Sequence, residues 1–245
     1  MPINHKFLNK TWQNGYATEN AILSTTPYKP EILFIGTYNP NTTGNHNLAN
    51  FFYGRNNYLF PMLHGIFNLG SIYNQDPPYE NLIWPLCSKL KLSFADLITS
   101  VFPNHNIQLA HNSNKIIFNG KSYNLLEDKD LIKINDLYGE VIWNDKNIIN
   151  FINNTPSLKY VFLTQKSKNI FATHFSNIKN NCNRDNLTFR CIYTPSGQSL
   201  PGKPREFYLA MQWLVEQDNE TGFNLSLLHS NNITSFNFNN YSLNF

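Results

Sequence analysis

The chain has 245 residues, of which 41% are hydrophobic and only 14% are charged, so it can bury a substantial core. No linker-like stretch divides it, and we therefore expect a single domain. Its net charge of +3 excludes a protein that grips long DNA by charge alone, although a nucleic-acid partner with few phosphate contacts fits.

The cysteines and the hydropathy pattern exclude further classes. Cys87, Cys182 and Cys191 are too few and too scattered for a disulfide framework, a zinc site or an iron–sulfur cluster, and they are typical of a reducing compartment. No stretch resembles a signal peptide or a membrane-spanning helix. We expect a cytoplasmic monomer with no metal, no cofactor and no membrane partner.

The first strand is predicted after a polar lead-in over residues 1–30, in which Trp12 is expected to pack on the core. Residues 32–35 are Ile, Leu, Phe and Ile, bounded by a proline and Gly36, as in a strand buried on both faces of a parallel sheet. Residues 37–40 then leave the carboxyl end of this strand, where open α/β sheets bind their ligands.

Helices and a hairpin are predicted in the middle of the chain. Apolar residues recur at helical spacing over residues 58–69, and residues 79–92 form a second helical candidate. Residues 94–102 are either a strand or a short pocket segment, in which Asp96 either forms a local cap or hydrogen bond or orients a pocket group. Asn119-Gly120 lies between short apolar pieces, which predicts an inserted hairpin.

The last third of the chain alternates strands with helices. Strands are predicted at residues 159–164 and 188–193, and helices at residues 167–175 and 204–216. This alternation predicts a mostly parallel sheet flanked by helices. The tail, residues 218–245, is either an edge strand or a loosely held extension.

Three segments in this order resemble motifs of the uracil-DNA glycosylase superfamily, most closely those of its mismatch-specific uracil/thymine and hypoxanthine branches. They are Gly36-Thr37-Tyr38-Asn39-Pro40, the aromatic segment from Phe52 to Pro61, and Pro195-Ser196-Gly197-Gln198-Ser199. The likeness covers most of residues 30–216. It implies a three-layer α/β/α fold with a central, mostly parallel four-stranded sheet. That fold would be one domain over 1–217 with a hairpin inserted near 115–126 and an extension over 218–245.

The resemblance also implies an activity, that of a DNA glycosylase of base-excision repair that removes uracil, hypoxanthine or mismatched thymine from DNA by hydrolysing the N-glycosidic bond. The first loop holds one residue more between Gly36 and Asn39 than the family's Gly-x-Asn-Pro, so Asn39 and Asn57 compete for the catalytic role. The residues implied for base binding are Gly36, Thr37, Tyr38, Pro40, Phe52, Tyr53 and Tyr193. Those implied for DNA binding are Thr194, Pro195, Ser196, Gly197, Gln198, Ser199, Lys203 and Arg205.

Elementary chemistry explains why these residue types suit that activity. A duplex hides its glycosidic bonds, so the enzyme must extrude the nucleotide at a cost of roughly a few kcal/mol. Tyr38, Phe52 and Tyr53 are the expected stacking platform, and stacking is worth about 1–3 kcal/mol per base. An Asn side chain can orient water but cannot accept its proton, so general-base help of about 10²–10⁴-fold is lost and turnover is expected to be slow.

Two other function classes stay open. A catalytically inactive relative would bind a nucleobase, a nucleotide or single-stranded DNA through the same pocket, without forming product. An interaction protein would use the same loops only as turns, since Asn-Pro and Pro-Ser-Gly are common turn sequences. That last class predicts that Asn39, Phe52 and Ser196 lie on separate faces.

Overall fold

The chain is an α/β protein whose computed structural model describes residues 2–42, 51–53, 57–66, 80–109, 113–165, 168–196 and 209. Its strands are β1 (Ile3–Asn4), β2 (Ala17–Glu19), β3 (Ile22–Thr25), β4 (Ile32–Gly36), β5 (Leu92–Asp96), β6 (Ile98–Val101), β7 (Lys115–Phe118), β8 (Lys121–Asn124), β9 (Val141–Trp143), β10 (Tyr160–Leu163) and β11 (Thr188–Cys191). Its helices are α1 (Leu59–Ile66), α2 (Glu80–Leu90), α3 (Asp128–Tyr138), α4 (Asp145–Asn154) and α5 (Ile170–Asn181).

Six of the described strands form one mixed sheet in the order β11-β10-β4-β5-β3-β2. The strands β11, β10, β4 and β5 are parallel to one another, while β3 and β2 extend the sheet as antiparallel strands. The predicted α/β class is confirmed, but the predicted count of four strands is wrong. The two extra strands lie within residues 1–30, which were predicted to be a polar lead-in. The prediction missed them because they are short and their sequence does not alternate clearly.

Both faces of this sheet are covered. All five residues of β4 are buried, as its apolar run predicts. Because successive strand residues point to opposite faces, Phe34 belongs to one core cluster while Leu33 and Ile35 belong to another. The first core cluster includes residues of α1 and α2 together with the partly buried Trp12, and the second includes residues of α3, α4 and α5. The prediction that Trp12 packs on the core is confirmed.

The described chain also contains two smaller antiparallel sheets. Strands β1, β6 and β9 form one, and β7 and β8 form a hairpin. Asn119 and Gly120 occupy its turn with φ values of 49° and 72°, the positive φ that a two-residue hairpin turn requires. The predicted hairpin is therefore confirmed. Most of residues 94–102 belong to two strands, β5 in the main sheet and β6 in the small one, separated by Leu97.

The helices match the sequence predictions in part. α1 and α2 lie within the predicted ranges, and α2 accommodates Pro85 inside the helix. α5 begins and ends later than predicted, and the sequence pattern did not reveal α3 or α4. Of the predicted helix 204–216 and the tail 218–245, only Leu209 is described, and it is buried in the first core cluster. No helix in the described part of the chain is long and apolar enough to cross a membrane.

Helix α3 offers a matched test of the core. Leu131 is 2% exposed and Leu137 is 57% exposed in the same helix. We expect Leu131→Ala to lower the free energy of unfolding by about 2–5 kcal/mol, because it leaves a cavity in the second core cluster. Leu137→Ala should change it by no more than about 0.5 kcal/mol. Urea unfolding of both variants measures the difference, and equal losses would contradict the described burial.

Candidate active site

The carboxyl ends of the four parallel strands meet at one edge of the main sheet. Gly36 ends β4 and Asp96 ends β5, and the two residues are directly opposite in the register. Thr164 and Gln165 follow β10, and the segment 192–196 follows β11. In open α/β sheets this edge is where ligands bind, so we call these strand ends and the side chains they contact the carboxyl edge.

Asp96 lies at the centre of the carboxyl edge and is only 1% exposed. Its Oδ2 accepts a hydrogen bond from Asn39 Nδ2 at 2.5 Å and lies 2.7 Å from His5 Nε2. An ionised carboxylate is costly to bury without donors, and these two side chains supply them. Both contacts are made by Oδ2, and no described residue forms a hydrogen bond with Oδ1.

His5 is a fixed donor to this carboxylate. Its Nδ1 accepts a hydrogen bond from the backbone N–H of Phe7 at 3.0 Å, so the proton of the neutral ring resides on Nε2 and points at Asp96. The ring is 2% exposed and lies against the rings of Phe7, Tyr38 and Phe52. Packing and hydrogen bonding together hold the imidazole in one orientation.

The loop that carries Asn39 is tied to the N-terminal strand. The backbone N–H of Lys6 donates to Asn39 O at 2.7 Å, and that of Asn41 donates to Asn4 O at 2.8 Å. Pro40 forms a β-bridge with His5. These contacts fix the backbone of Asn39, and its bond to Asp96 fixes the side chain with Nδ2 toward the carboxylate. In the described part of the chain, Asn39 Oδ1 has no hydrogen-bond partner.

Gly36 is required by close packing at the carboxyl edge. A Cβ at this position would lie 2.3 Å from Asp96 Oδ1 and 2.9 Å from the Tyr53 hydroxyl. That hydroxyl is 2.8 Å from Thr164 Oγ1, which itself donates to Ile35 O at 3.2 Å, so Tyr53 is the donor to Thr164. Burial raises the pKa of Tyr53 well above its ordinary value, and the charge of Asp96 raises it further. Tyr53 is therefore a neutral hydroxyl beside the carboxylate.

A second carboxyl group, that of Asp128, reaches the same edge from the first turn of α3. Thr37 Oγ1 donates to its Oδ1 and Gln165 Nε2 donates to its Oδ2, both at 3.0 Å. Burial raises the pKa of Asp128, the Thr37 hydrogen bond opposes that change, and the negative charge of Asp96 adds to it. The charge of Asp96 therefore acts on Asp128.

The early and late motif segments contact each other. The backbone N–H of Tyr58 donates to Pro195 O at 2.8 Å, and the bond from the N–H of Ile192 to Leu163 O keeps the late segment beside β10. Thr194 Oγ1 donates to Ser196 Oγ at 3.2 Å. The end of the aromatic segment therefore lies beside the late loop, while a common base-binding cleft between these segments stays a prediction.

Several residues predicted for the site make structural contacts. Asn57 Oδ1 accepts from the backbone N–H of Leu59 at 2.9 Å, which caps the start of α1. Tyr38 is 8% exposed and donates to Ile3 O at 2.6 Å. Phe52 is fully buried against Phe7 and Phe94. Neither ring presents a free face for a base, because both are part of the core.

The remaining predicted residues divide into two groups. Tyr53, Tyr193, Thr194 and Ser196 are partly buried, and Tyr193 packs on the first core cluster. The prediction that Gly197, Gln198, Ser199, Lys203 and Arg205 contact DNA falls outside the described residues.

The sequence interpretation gave no site role to four residues of the carboxyl edge and an open role to a fifth. His5, Asp128, Thr164 and Gln165 were not proposed, and Asp96 was expected either to bond locally or to orient a pocket group. Asp96, Thr164 and Gln165 stand at the ends of apolar strands, as Gly36 does, so strand-end position could have identified them. His5 and Asp128 carry no comparable sequence signal.

No group of three or more His, Cys, Asp or Glu side chains among the described residues could hold a metal ion. Comparisons of the chain with protein-family models, with curated proteins and with solved structures found no match. The function is therefore inferred from the geometry of the carboxyl edge and from its motifs.

The raised pKa of Asp128 predicts a pH dependence of stability. The folded protein binds the carboxyl proton of Asp128 more tightly than the unfolded chain does. The contribution of this proton to the free energy of unfolding of wild type is therefore lost as pH rises through the pKa of the folded state. Asp128→Asn lacks this effect. We expect its free energy of unfolding, relative to wild type, to increase from about pH 3 to about pH 7 in urea titrations.

Asp130 in the same helical turn is the matched control. Burial raises the pKa of Asp130, but hydrogen bonds from the Asn124 backbone and from Lys133 lower it, and the net shift is downward. The contribution of Asp130 to the free energy of unfolding of wild type therefore increases as pH rises. The relative unfolding free energy of Asp130→Asn should therefore decrease over the same range. Identical pH profiles for the two variants would contradict the opposite environments of these carboxyl groups.

Proposed function

We propose that the protein is a DNA glycosylase that hydrolyses the N-glycosidic bond of a deaminated or mispaired base, with Asp96 activating the water. The observation that carries this proposal is the buried carboxylate of Asp96, held 2.5 Å from Asn39 Nδ2 at the carboxyl edge of the parallel strands. Asn39 belongs to the loop that resembles the glycosylase motif. A carboxylate beside that loop supplies the proton acceptor that an Asn side chain lacks.

The proposed reaction uses the two oxygens of Asp96 differently. Oδ2 is occupied by His5 and Asn39, which leaves Oδ1 to accept a proton from water. The water oxygen forms a bond to C1′ as the C1′–N bond breaks, and the bonding pair leaves with the base nitrogen. The proton then passes to the departing base. The negative charge of Asp96 also stabilises the oxocarbenium-like transition state of the sugar, as carboxylates do in glycoside hydrolysis.

Asn39 orients the reacting groups in this scheme. Its Nδ2 holds the carboxylate, and its Oδ1 is left to accept a hydrogen bond from the water or from the base. Asn57 has no comparable position because its side-chain oxygen caps α1. The contacts of the two candidates therefore favour Asn39 over Asn57 in the catalytic role.

The rest of the proposal follows from this activity. The partner is DNA containing a damaged or mismatched base, and the segment 194–196 is expected to lie against its backbone, since small hydroxyl side chains suit phosphate contacts. We infer the three-layer α/β/α architecture of the uracil-DNA glycosylase superfamily. The parallel strands at the centre and the helices on both faces of the sheet support this inference. We also infer a cytoplasmic monomer, and the free thiols of all three cysteines suit a reducing compartment.

Base release by three variants tests the proposal. Asp96→Asn should lower the single-turnover rate by about 10²–10⁴-fold because it removes the proton acceptor. Asn39→Ala should also lower it strongly, since the carboxylate loses a donor. Asn57→Ala should retain release while losing about 0.5–2 kcal/mol of stability with its helix cap. The assay measures abasic sites in duplexes that contain uracil, hypoxanthine, xanthine or mismatched thymine.

Urea unfolding of each variant shows whether a loss of release reflects a loss of folding. Wild-type rates in both Asp96→Asn and Asn39→Ala would reject the assignment of the site. Binding of these duplexes by wild type with no abasic product would reject hydrolysis and favour a catalytically inactive relative.

A further inference from the structure

Gln165 carries a buried oxygen whose partner is missing from the described structure. The side chain is 9% exposed and follows β10 at the carboxyl edge. Its Oε1 is fully enclosed and accepts no hydrogen bond from the part of the chain that the structure describes. An unsatisfied buried acceptor costs about 1–3 kcal/mol, so its presence at a ligand-binding edge indicates that a donor arrives from outside.

The orientation of this amide is fixed by its neighbour. Gln165 Nε2 donates to Asp128 Oδ2 at 3.0 Å. Because the NH₂ group of Gln165 faces this carboxyl group, the carbonyl oxygen of the same amide points away from it. Asp128 thereby determines that Gln165 offers an acceptor.

This acceptor belongs to the same network as Asn39 and Asp96. Asp128 also accepts from Thr37, two residues before Asn39, and the charge of Asp96 acts on Asp128. Thr164, the residue before Gln165, binds the Tyr53 hydroxyl that lies over Gly36. Gln165 is therefore in position to contact a group bound beside the proposed reaction centre.

We propose that Gln165 is a specificity-determining residue whose Oε1 accepts a hydrogen bond from the ring N–H of an everted lactam base such as uracil, hypoxanthine or xanthine. This inference rests on the proposed function for the identity of the substrate as DNA. It names a feature by which the site distinguishes uracil from cytosine and hypoxanthine from adenine.

Deamination changes the ring nitrogen that Gln165 Oε1 is proposed to contact. Cytosine and adenine carry an unprotonated ring nitrogen on the Watson–Crick edge, which is an acceptor. In uracil and hypoxanthine the same nitrogen carries a hydrogen and is a donor. A fixed acceptor oxygen pairs with uracil or hypoxanthine and faces a lone pair in cytosine or adenine. A site that is built to pair with an N–H discriminates against ligands that lack it, because its own polar group is then left unpaired.

Gln165→Leu tests this inference, with Gln108→Leu as the same substitution on an exposed side chain. We expect Gln165→Leu to weaken binding of free uracil and hypoxanthine, followed by ligand-observed NMR, by about tenfold to a hundredfold. Base release from duplexes containing either base should fall to a similar extent. Gln108→Leu should leave both measurements at wild-type values.

A second measurement does not depend on the folding of any variant. Wild type is tested with uracil and hypoxanthine in which a methyl group replaces the hydrogen on the ring nitrogen of the Watson–Crick edge. Both methylated bases are used as free bases and within duplexes. We expect the methylated bases to bind more weakly by about tenfold or more, because the donor is gone. Cytosine and adenine should bind as weakly as the methylated bases.

The outcomes separate this inference from the proposed function. Base release that is unaffected by Gln165→Leu and by methylation would overturn the inference while the glycosylase activity stands. Binding of free lactam bases that depends on Gln165, with no release from any duplex, would support the inference and overturn the activity. Absence of both binding and release in wild type would overturn both.

Discussion

The arrangement of the carboxyl edge depends on the burial of one carboxylate. Asp96 ends β5 opposite Gly36, where packing leaves no room for a side chain on the neighbouring strand. A charge in that position requires hydrogen-bond donors, and they come from His5 and Asn39, which lie in separate segments of the chain. The need to satisfy this group therefore ties the N-terminal strand and the loop after β4 to the same point.

The small antiparallel sheet gives these donors their positions. Strand β6 follows Asp96 after a single residue, and it pairs with β1 on one side and with β9 on the other. Pairing with β6 places β1 so that His5, the next residue, reaches Asp96. On the other side Asn144, just after β9, donates from its side chain to the backbone oxygen of Asp96 at 3.0 Å. The segments that carry His5, Asn39 and Asn144 thus support one strand end.

The chemistry of the edge is that of an acceptor-rich site. The charge of Asp96 raises the pKa of Asp128 there, and the same charge favours the neutral form of Tyr53. The amide nitrogens of Asn39 and Gln165 are held by Asp96 and Asp128, and their side-chain oxygens accept no hydrogen bond from the described residues. Such a site suits a ligand with N–H donors and a reaction that develops positive charge, which is the basis of both the proposed activity and the proposed base preference.

The sequence by itself determined part of the local structure of this protein. Apolar runs located β4, β10 and β11, and the Asn119-Gly120 turn located the hairpin, because burial and turn geometry are encoded by neighbouring residues. Only the tertiary structure decided that Asn57 caps a helix, that Tyr38 and Phe52 belong to the core, and that His5 meets Asp96 across 91 positions. Such contacts depend on strand register and on the satisfaction of buried polar groups, which no local pattern records.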